Sequence, residues 1–216
     1  MVKNLKYKRI FISGASGVGK TTLAKEISKV FNVPFISTSA KKLWPRYGFI
    51  DHRDAIRKSI SDKQTCIKYQ WDVLYDRRNS LKGEPEFVTD RSPFDNYIYF
   101  MNQGGFLFTQ DQCGKYARGC RISLELGDIV IFLRFTDDII IEDDKYRIVN
   151  WDFQKMMDGL IETVIKRNMI YHKTMGIPVF EINTWDFEKK MGQVKNILLG
   201  IKESSRWIEA FKKLRL

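Results

Sequence analysis

The residues Gly14-Ala15-Ser16-Gly17-Val18-Gly19-Lys20-Thr21 carry the most chemistry in this sequence. They fit the pattern G-x-x-x-x-G-K-[ST]. Glycines at such spacing let the backbone curl until its N–H groups converge on phosphate oxygens. A helix beginning at Lys20 would add its positive N-terminal end to the same spot. In that geometry Lys20 reaches the β- and γ-phosphates and the Thr21 hydroxyl ligates magnesium. The stretch from Gly14 to Thr22 is therefore expected to bind a nucleoside triphosphate, ATP with Mg2+.

A second cluster is Thr89-Asp90-Arg91-Ser92-Pro93. A carboxylate here can take a proton from an attacking hydroxyl or help hold magnesium, and both roles are expected of Asp90. Arg91 can bind an acceptor phosphate or neutralise charge on the group in transit. Lys20, Asp90 and Arg91 form the core of the expected catalytic set. The remaining alternative for Asp90-Arg91 is a surface ion pair ahead of a helix start.

The elements around these residues alternate. Lys8 to Ser13 reads as a short apolar strand ahead of the glycine turn. A helix follows, with Leu23, Ile27, Val30 and Phe31 at helical spacing. Val33 to Ile36 reads as a second strand and Glu86 to Asp90 as a third. Between them lie helical pieces rich in arginine and lysine. Ser92 caps the next helix with Pro93 in its first turn. Another helix covers Gln110 to Leu126. Asp128 to Arg134 is a continuous apolar strand of the kind buried on both faces of a parallel sheet. A charged stretch follows, then a long helix carrying Phe153, Met157, Leu160, Val164 and Tyr171 inward. Pro178 to Ile182 is a fifth strand, followed by a helix from Asp186 to Leu199. The pattern predicts one α/β domain over residues 1–216, a doubly wound five-stranded parallel sheet flanked by helices. Ligands in such sheets sit beyond the carboxyl ends of the strands. The glycine turn, Asp90 and the charged stretch after the fourth strand all fall there.

With the glycine turn and the Asp-Arg-Ser element both in place, the chain resembles the nucleoside and nucleotide kinase branch of P-loop proteins. Deoxyribonucleoside kinases have Glu-Arg-Ser where this sequence has Asp90-Arg91-Ser92, and thymidylate kinases have Asp-Arg. The resemblance implies a lid at about 136–150, with Arg147 swinging onto the phosphates. Asp143 and Asp144 precede Arg147 much as an acidic residue precedes the lid arginine of NadR-like ribosylnicotinamide kinases. Arg134 is a second candidate for that role. The resemblance also places Gln70 and Trp71 against the acceptor, although Trp71 shares an apolar stripe with Ile67 and Leu74 that equally suits packing. It places Asn183, in Asn183-Thr184-Trp185, near the adenine of ATP; Thr184 serves equally as a helix cap.

The formal net charge of +11 bears on the acceptor. Such an excess concentrates polyanions at a surface. The acceptor is expected to be a nucleotide or nucleoside, or a modified base in DNA. The viral P-loop kinases of 5-hydroxymethyluracil in DNA fall within the same resemblance, so nucleic acid is a possible partner. A small-metabolite kinase and a nucleotide-driven switch without phosphotransfer are the alternatives. No Asn-Lys-x-Asp guanine reader is present. Cys66, Cys113 and Cys120 form no Cys-x-x-Cys pair, which argues against zinc or a disulfide framework. His52 and His172 stand alone. No run of eighteen apolar residues occurs, and the N-terminus does not read as a signal peptide. A cytoplasmic location without membrane attachment is expected. A C-terminal helix over about 203–214 carries Trp207, Phe211 and Leu214 on one face.

Overall fold

The computed structural model describes residues 4–138, 150–166 and 177–201. The expected lid with Asp143, Asp144 and Arg147 lies outside them, as do Tyr171, His172 and the C-terminal helix.

Strand β1 (Arg9–Ser13) leads through the glycine turn into helix α1 (Lys20–Phe31). Leu23, Ala24 and Ile27 give α1 its buried face. Asn32, in the left-handed region at φ 56°, ends it. A basic segment then folds as a 3-10 turn (Ala40–Leu43) and helices α2 (Trp44–Tyr47), α3 (His52–Ser61) and α4 (Lys63–Leu81). Asp51 and Asp62 cap α3 and α4 by accepting from backbone amides of the first turn. Trp44, Phe49, Ala55, Tyr69 and Val73 form a small second core here, apart from the main one.

Strand β2 (Phe87–Thr89) runs into helix α5 (Pro93–Gly104), and helix α6 (Gln110–Leu124) precedes strand β3 (Ile129–Leu133). Helix α7 (Trp151–Lys166), strand β4 (Val179–Ile182) and helix α8 (Phe187–Leu199) complete the described chain. All strand pairs are parallel, in the order β2-β1-β3-β4. Every residue of β3 is buried, as its unbroken apolar run requires. No helix among the described residues is long and apolar enough to cross a membrane.

The sheet thus has four strands among the described residues, not the five the sequence suggests. Val33 to Ile36 does run beside β2, but only as an isolated bridge between Phe35 and Val88. Pro34 has no N–H to donate, so the ladder cannot extend through it. Its carbonyl still accepts from Val88 N at 2.9 Å, and Ile36 N donates to Val88 O at 3.0 Å. The inward face of α7 also differs by one position. Met157, Ile161, Val164 and Ile165 are buried, whereas Leu160 is exposed. Ile161 continues the four-residue step from Phe153 and Met157 and takes the place expected for Leu160.

Candidate active site

The glycine turn joins the end of β1 to the start of α1. Gly14 has φ +146°, and a Cβ there would lie 2.5 Å from the carbonyl oxygen of Leu133 on β3. A side chain would push the turn off the neighbouring strand. Gly19 caps α1 at φ 86°, a left-handed conformation that turns the chain into the helix. The Lys20 side chain is buried and folds back along the turn. Its Nζ donates to the carbonyl of Gly14 at 2.7 Å and also to that of Ala15.

The second cluster meets the first at the hydroxyl of Thr21, which donates to Asp90 Oδ2 at 2.6 Å. The two residues are 69 positions apart in sequence. The other oxygen, Asp90 Oδ1, is buried and has no hydrogen-bond partner. An unpartnered buried carboxylate oxygen is costly unless a cation or donor completes it. A hydroxyl and a carboxylate side by side at the end of the glycine turn suit magnesium, a hard cation that takes oxygen ligands. The two residues expected to serve magnesium, Thr21 and Asp90, are therefore side by side.

Asp95, on α5, holds the arrangement rigid. It is fully buried. Its Oδ1 accepts from Ser13 Oγ at 2.6 Å and from Gly14 N at 3.2 Å. Its Oδ2 accepts from Ser92 N at 3.1 Å, and Ser92 Oγ accepts from Asp95 N in return, a reciprocal cap. One carboxylate thus ties the start of the turn to the start of α5 and fixes Asp90 and Arg91 between them.

Arg91 lines a small, largely apolar cavity in which Thr38, Arg77, Ser92 and Asn96 meet Phe11, Leu74, Leu81 and Leu126. Its guanidinium lies 5.5 Å from the centre of the Tyr99 ring. Arg77, on α4, donates to the carbonyl of Thr38 at 2.7 Å and to the side chain of Asn96. Burial, and then repulsion from Arg91, pull the Arg77 guanidinium below its ordinary range. Burial acts on Arg91 in the same direction, but Tyr99, Asp95 and Asp90 outweigh it and hold the group more firmly charged. Among the described residues neither arginine has a carboxylate within ion-pair distance.

Gln70 is buried on α4. It shares a helical face with Leu74 and Arg77. Trp71 packs instead against its neighbours, stacked on Tyr75 at 5.4 Å and edge-on to Tyr116 at 5.2 Å. That packing accounts for its ring. Asn183 is exposed just beyond the end of β4. Ser16, Val18 and Thr22 take their places in the turn and the first turn of α1.

Arg134 is held by three carboxylates. Its Nε donates to Asp158 Oδ2 at 2.9 Å, Nη1 to Glu181 Oε1 at 2.7 Å and Nη2 to Glu162 Oε2 at 3.0 Å. Burial alone would lower its pKa, but Asp158 and Glu181 more than reverse that and push it above the ordinary arginine range. All three guanidinium nitrogens are committed to joining α7 and β4 at the end of β3. Sequence reasoning did not mark Arg77 as a site residue, nor Asp95 as the tie between the glycine turn and α5. The signals were present: Arg77 follows Gln70 by two helical turns, and Asp95 stands three residues after Ser92.

The family model described as an AAA domain matches residues 9–190. Among curated proteins, the ATPase subunit HslU of an ATP-dependent protease from Treponema denticola is 25% identical over 223 residues. The match covers 96% of this chain and 43% of that protein, so the chain spans less than half of its relative's length. Among solved structures, the deoxyadenosine kinase of M. mycoides with products dCMP and dCDP superposes with a TM-score of 0.61 at 20% identity. That superposition covers 89% of this chain and 99% of the kinase. NadR in complex with NR gives a TM-score of 0.53 at 15% identity, over 90% of this chain and 52% of that one. The fold is that of nucleotide-kinase-like P-loop proteins.

Proposed function

Taking as premise that the chain belongs to the AAA domain family of P-loop proteins, we propose that it is a kinase transferring the γ-phosphoryl group of ATP to a nucleotide-type acceptor. The acceptor is a (deoxy)nucleotide or nucleoside, or a modified base such as 5-hydroxymethyluracil within DNA. The observation that carries this reading is the 2.6 Å contact between Thr21 and Asp90, with the second Asp90 oxygen buried and unpartnered. A carboxylate beside the hydroxyl that follows the glycine-lysine turn supports reading Asp90 as part of the transfer machinery.

The residues divide the work. The amides of Gly14 to Gly19 hold the donor phosphates, and Thr22 extends the set into α1. Lys20 supplies mobile positive charge once its contacts with the turn carbonyls give way. Thr21 and Asp90 would hold magnesium, which when bound neutralises phosphate charge. Asp90 also offers the oxygen that can take a proton from an attacking hydroxyl. Arg91 orients an anionic acceptor, with Gln70 on the facing helix as a contact to its base, and Asn183 borders the donor base. Arg147 remains the proposed lid arginine. Most acceleration in such transfers comes from positioning and charge neutralisation.

The test is direct. The protein is incubated with γ-labelled ATP and magnesium in separate reactions. These contain dNMPs, deoxynucleosides, nicotinamide riboside, and duplex DNA with or without 5-hydroxymethyluracil. Label in a dNMP or deoxynucleoside selects the free acceptor. Label only in modified duplex selects the DNA base. Label only in nicotinamide riboside replaces the nucleotide-type acceptor with a small metabolite. ATP hydrolysis unaffected by any acceptor would sink the kinase reading in favour of a switch.

A further inference from the structure

A lysine with almost no solvent contact stands behind the glycine turn. Lys190, on α8, is 4% exposed. Its Nζ donates to the carbonyl of Val18 at 3.4 Å and lies 4.9 Å from the centre of the Trp185 ring. A Cβ on Gly19 would sit 3.7 Å from that nitrogen and 3.9 Å from Trp185. The lysine and the indole therefore back directly onto the Val18–Gly19 segment of the turn. Among the described residues no carboxylate comes within ion-pair distance of Lys190. Its neighbour Lys189 is exposed and near Asp186 at 3.9 Å, as a surface lysine ordinarily is. Lysine is almost never this buried without an opposite charge beside it. Burial pulls its pKa below the usual lysine range, and the charge of Asp138 offsets this only in part.

A weak carbonyl contact and one aromatic face do not balance a buried ammonium. A polyanion held on the other side of the turn would. The carbonyl of Val18 accepts from Lys190, so this segment of the turn is held from the α8 side. We propose that Lys190 is a positioning residue for the donor nucleotide: it pins the Val18 carbonyl from behind, with Trp185 as its support, and the bound polyphosphate supplies its missing counter-charge. This rests on the reading of the turn as a triphosphate grip.

The test compares wild type, Lys190→Met, Lys190→Arg and Lys190→Gln, with Lys20→Ala as a control. Affinities for Mg-ATP and for inorganic tripolyphosphate are measured by calorimetry, and the unliganded proteins are melted in parallel. Lys190→Met is expected to weaken both ligands about tenfold, the loss of one charge-assisted contact. It should leave the unliganded protein at least as stable, since an unpaired buried charge has been removed. KM for ATP should rise with kcat within about twofold, the pattern of a residue that binds ground and transition states alike. Lys190→Arg should restore most of the affinity. Should Lys190→Met fail to fold, Lys190→Gln carries the same comparison. Affinity within twofold of wild type in the Met or Gln variant would overturn the proposal. So would a loss of unliganded stability without a loss of affinity, which would make Lys190 a packing residue. A wild-type protein that ignores both Mg-ATP and tripolyphosphate would instead overturn the parent reading, and this one with it.

Discussion

At the scale of single residues, Lys20 and Asp90 make the sharpest demands. Lys20→Ala removes the one side chain of the turn able to follow the transferring charge. Phosphotransfer should fall by at least roughly a hundredfold, the usual cost of losing a charge-stabilising group. Two turn carbonyls also lose a donor, so a stability loss of about 1–3 kcal/mol should accompany it. Circular dichroism should show the native fold retained, and near-normal turnover would refute the phosphate-grip assignment. Asp90→Asn keeps the shape but removes the charge and the proton acceptor. Its kcat should drop by about 10²–10⁴, with binding of metal-free ATP by calorimetry nearly unchanged. Unaltered turnover would mean the proton goes elsewhere. Asp95 is not the substitute, because both its oxygens already serve Ser13, Gly14 and Ser92. The turn residues and Thr21 were legible from spacing alone, since their geometry is local. Asp95 as a tie to the turn and Lys190 as a site residue were not. Their partners lie 82 and 172 positions away, and nothing in the local pattern marks which distant segment each will meet.

At the scale of elements, the site is as firm as the joints between helices and sheet. Asp95 joins the end of β1 to the start of α5. Asp95→Ala should cost about 2–4 kcal/mol in urea unfolding, because it leaves Ser13 Oγ, Gly14 N and Ser92 N buried without an acceptor. Asp95→Asn, which keeps one carbonyl oxygen, should cost less. Equal losses in the two variants would show that volume rather than hydrogen bonding matters there. Arg134 is the corresponding joint at the other side of the site. Arg134→Met strands Asp158, Glu162 and Glu181 around an empty centre and should cost about 3–5 kcal/mol. Among molecules that remain folded, kcat/KM should be close to wild type. A tenfold fall in kcat with unchanged stability would return Arg134 to the list of phosphate-binding arginines. Elements with strong periodicity or a clear cap were readable: α1, α5 with its Ser92 cap, and the apolar β3. The strand expected at Val33 to Ile36 failed because apolar side chains suggest a strand but ladder hydrogen bonds make one, and Pro34 cannot donate. Arg134 looked like a candidate for catalysis because a charge at a strand end is often functional. The three carboxylates that claim it come from α7 and β4, which the sequence does not bring together.

At the scale of the whole molecule, the question is what the net charge of +11 is for. The folded chain answers part of it by pairing. In the basic segment after α1, Arg46 bonds to Asp72, and both Arg57 and Lys58 bond to Asp54. Arg77 and Arg91 turn inward to the cavity. Arg53, Lys63 and Lys68 remain exposed there. A free dNMP needs little more than the cavity arginines, so its KM should change only modestly with salt. A duplex acceptor must also lie along the exposed charges and release their counterions. Each phosphate neutralised contributes roughly −0.9 to the slope of log affinity against log salt. Contact with about six phosphates would therefore weaken DNA binding roughly a thousandfold between about 50 and 200 mM KCl. Fluorescence anisotropy of a labelled duplex across that range, beside dNMP kinetics in the same buffers, separates the two acceptors. A slope steeper than about −4, reduced by nearly one unit each in Arg53→Gln and Lys63→Gln, would make the basic segment a DNA-binding face. A slope near zero would leave the charge to solubility and to the donor phosphates, and the acceptor to the cavity between α4 and α5.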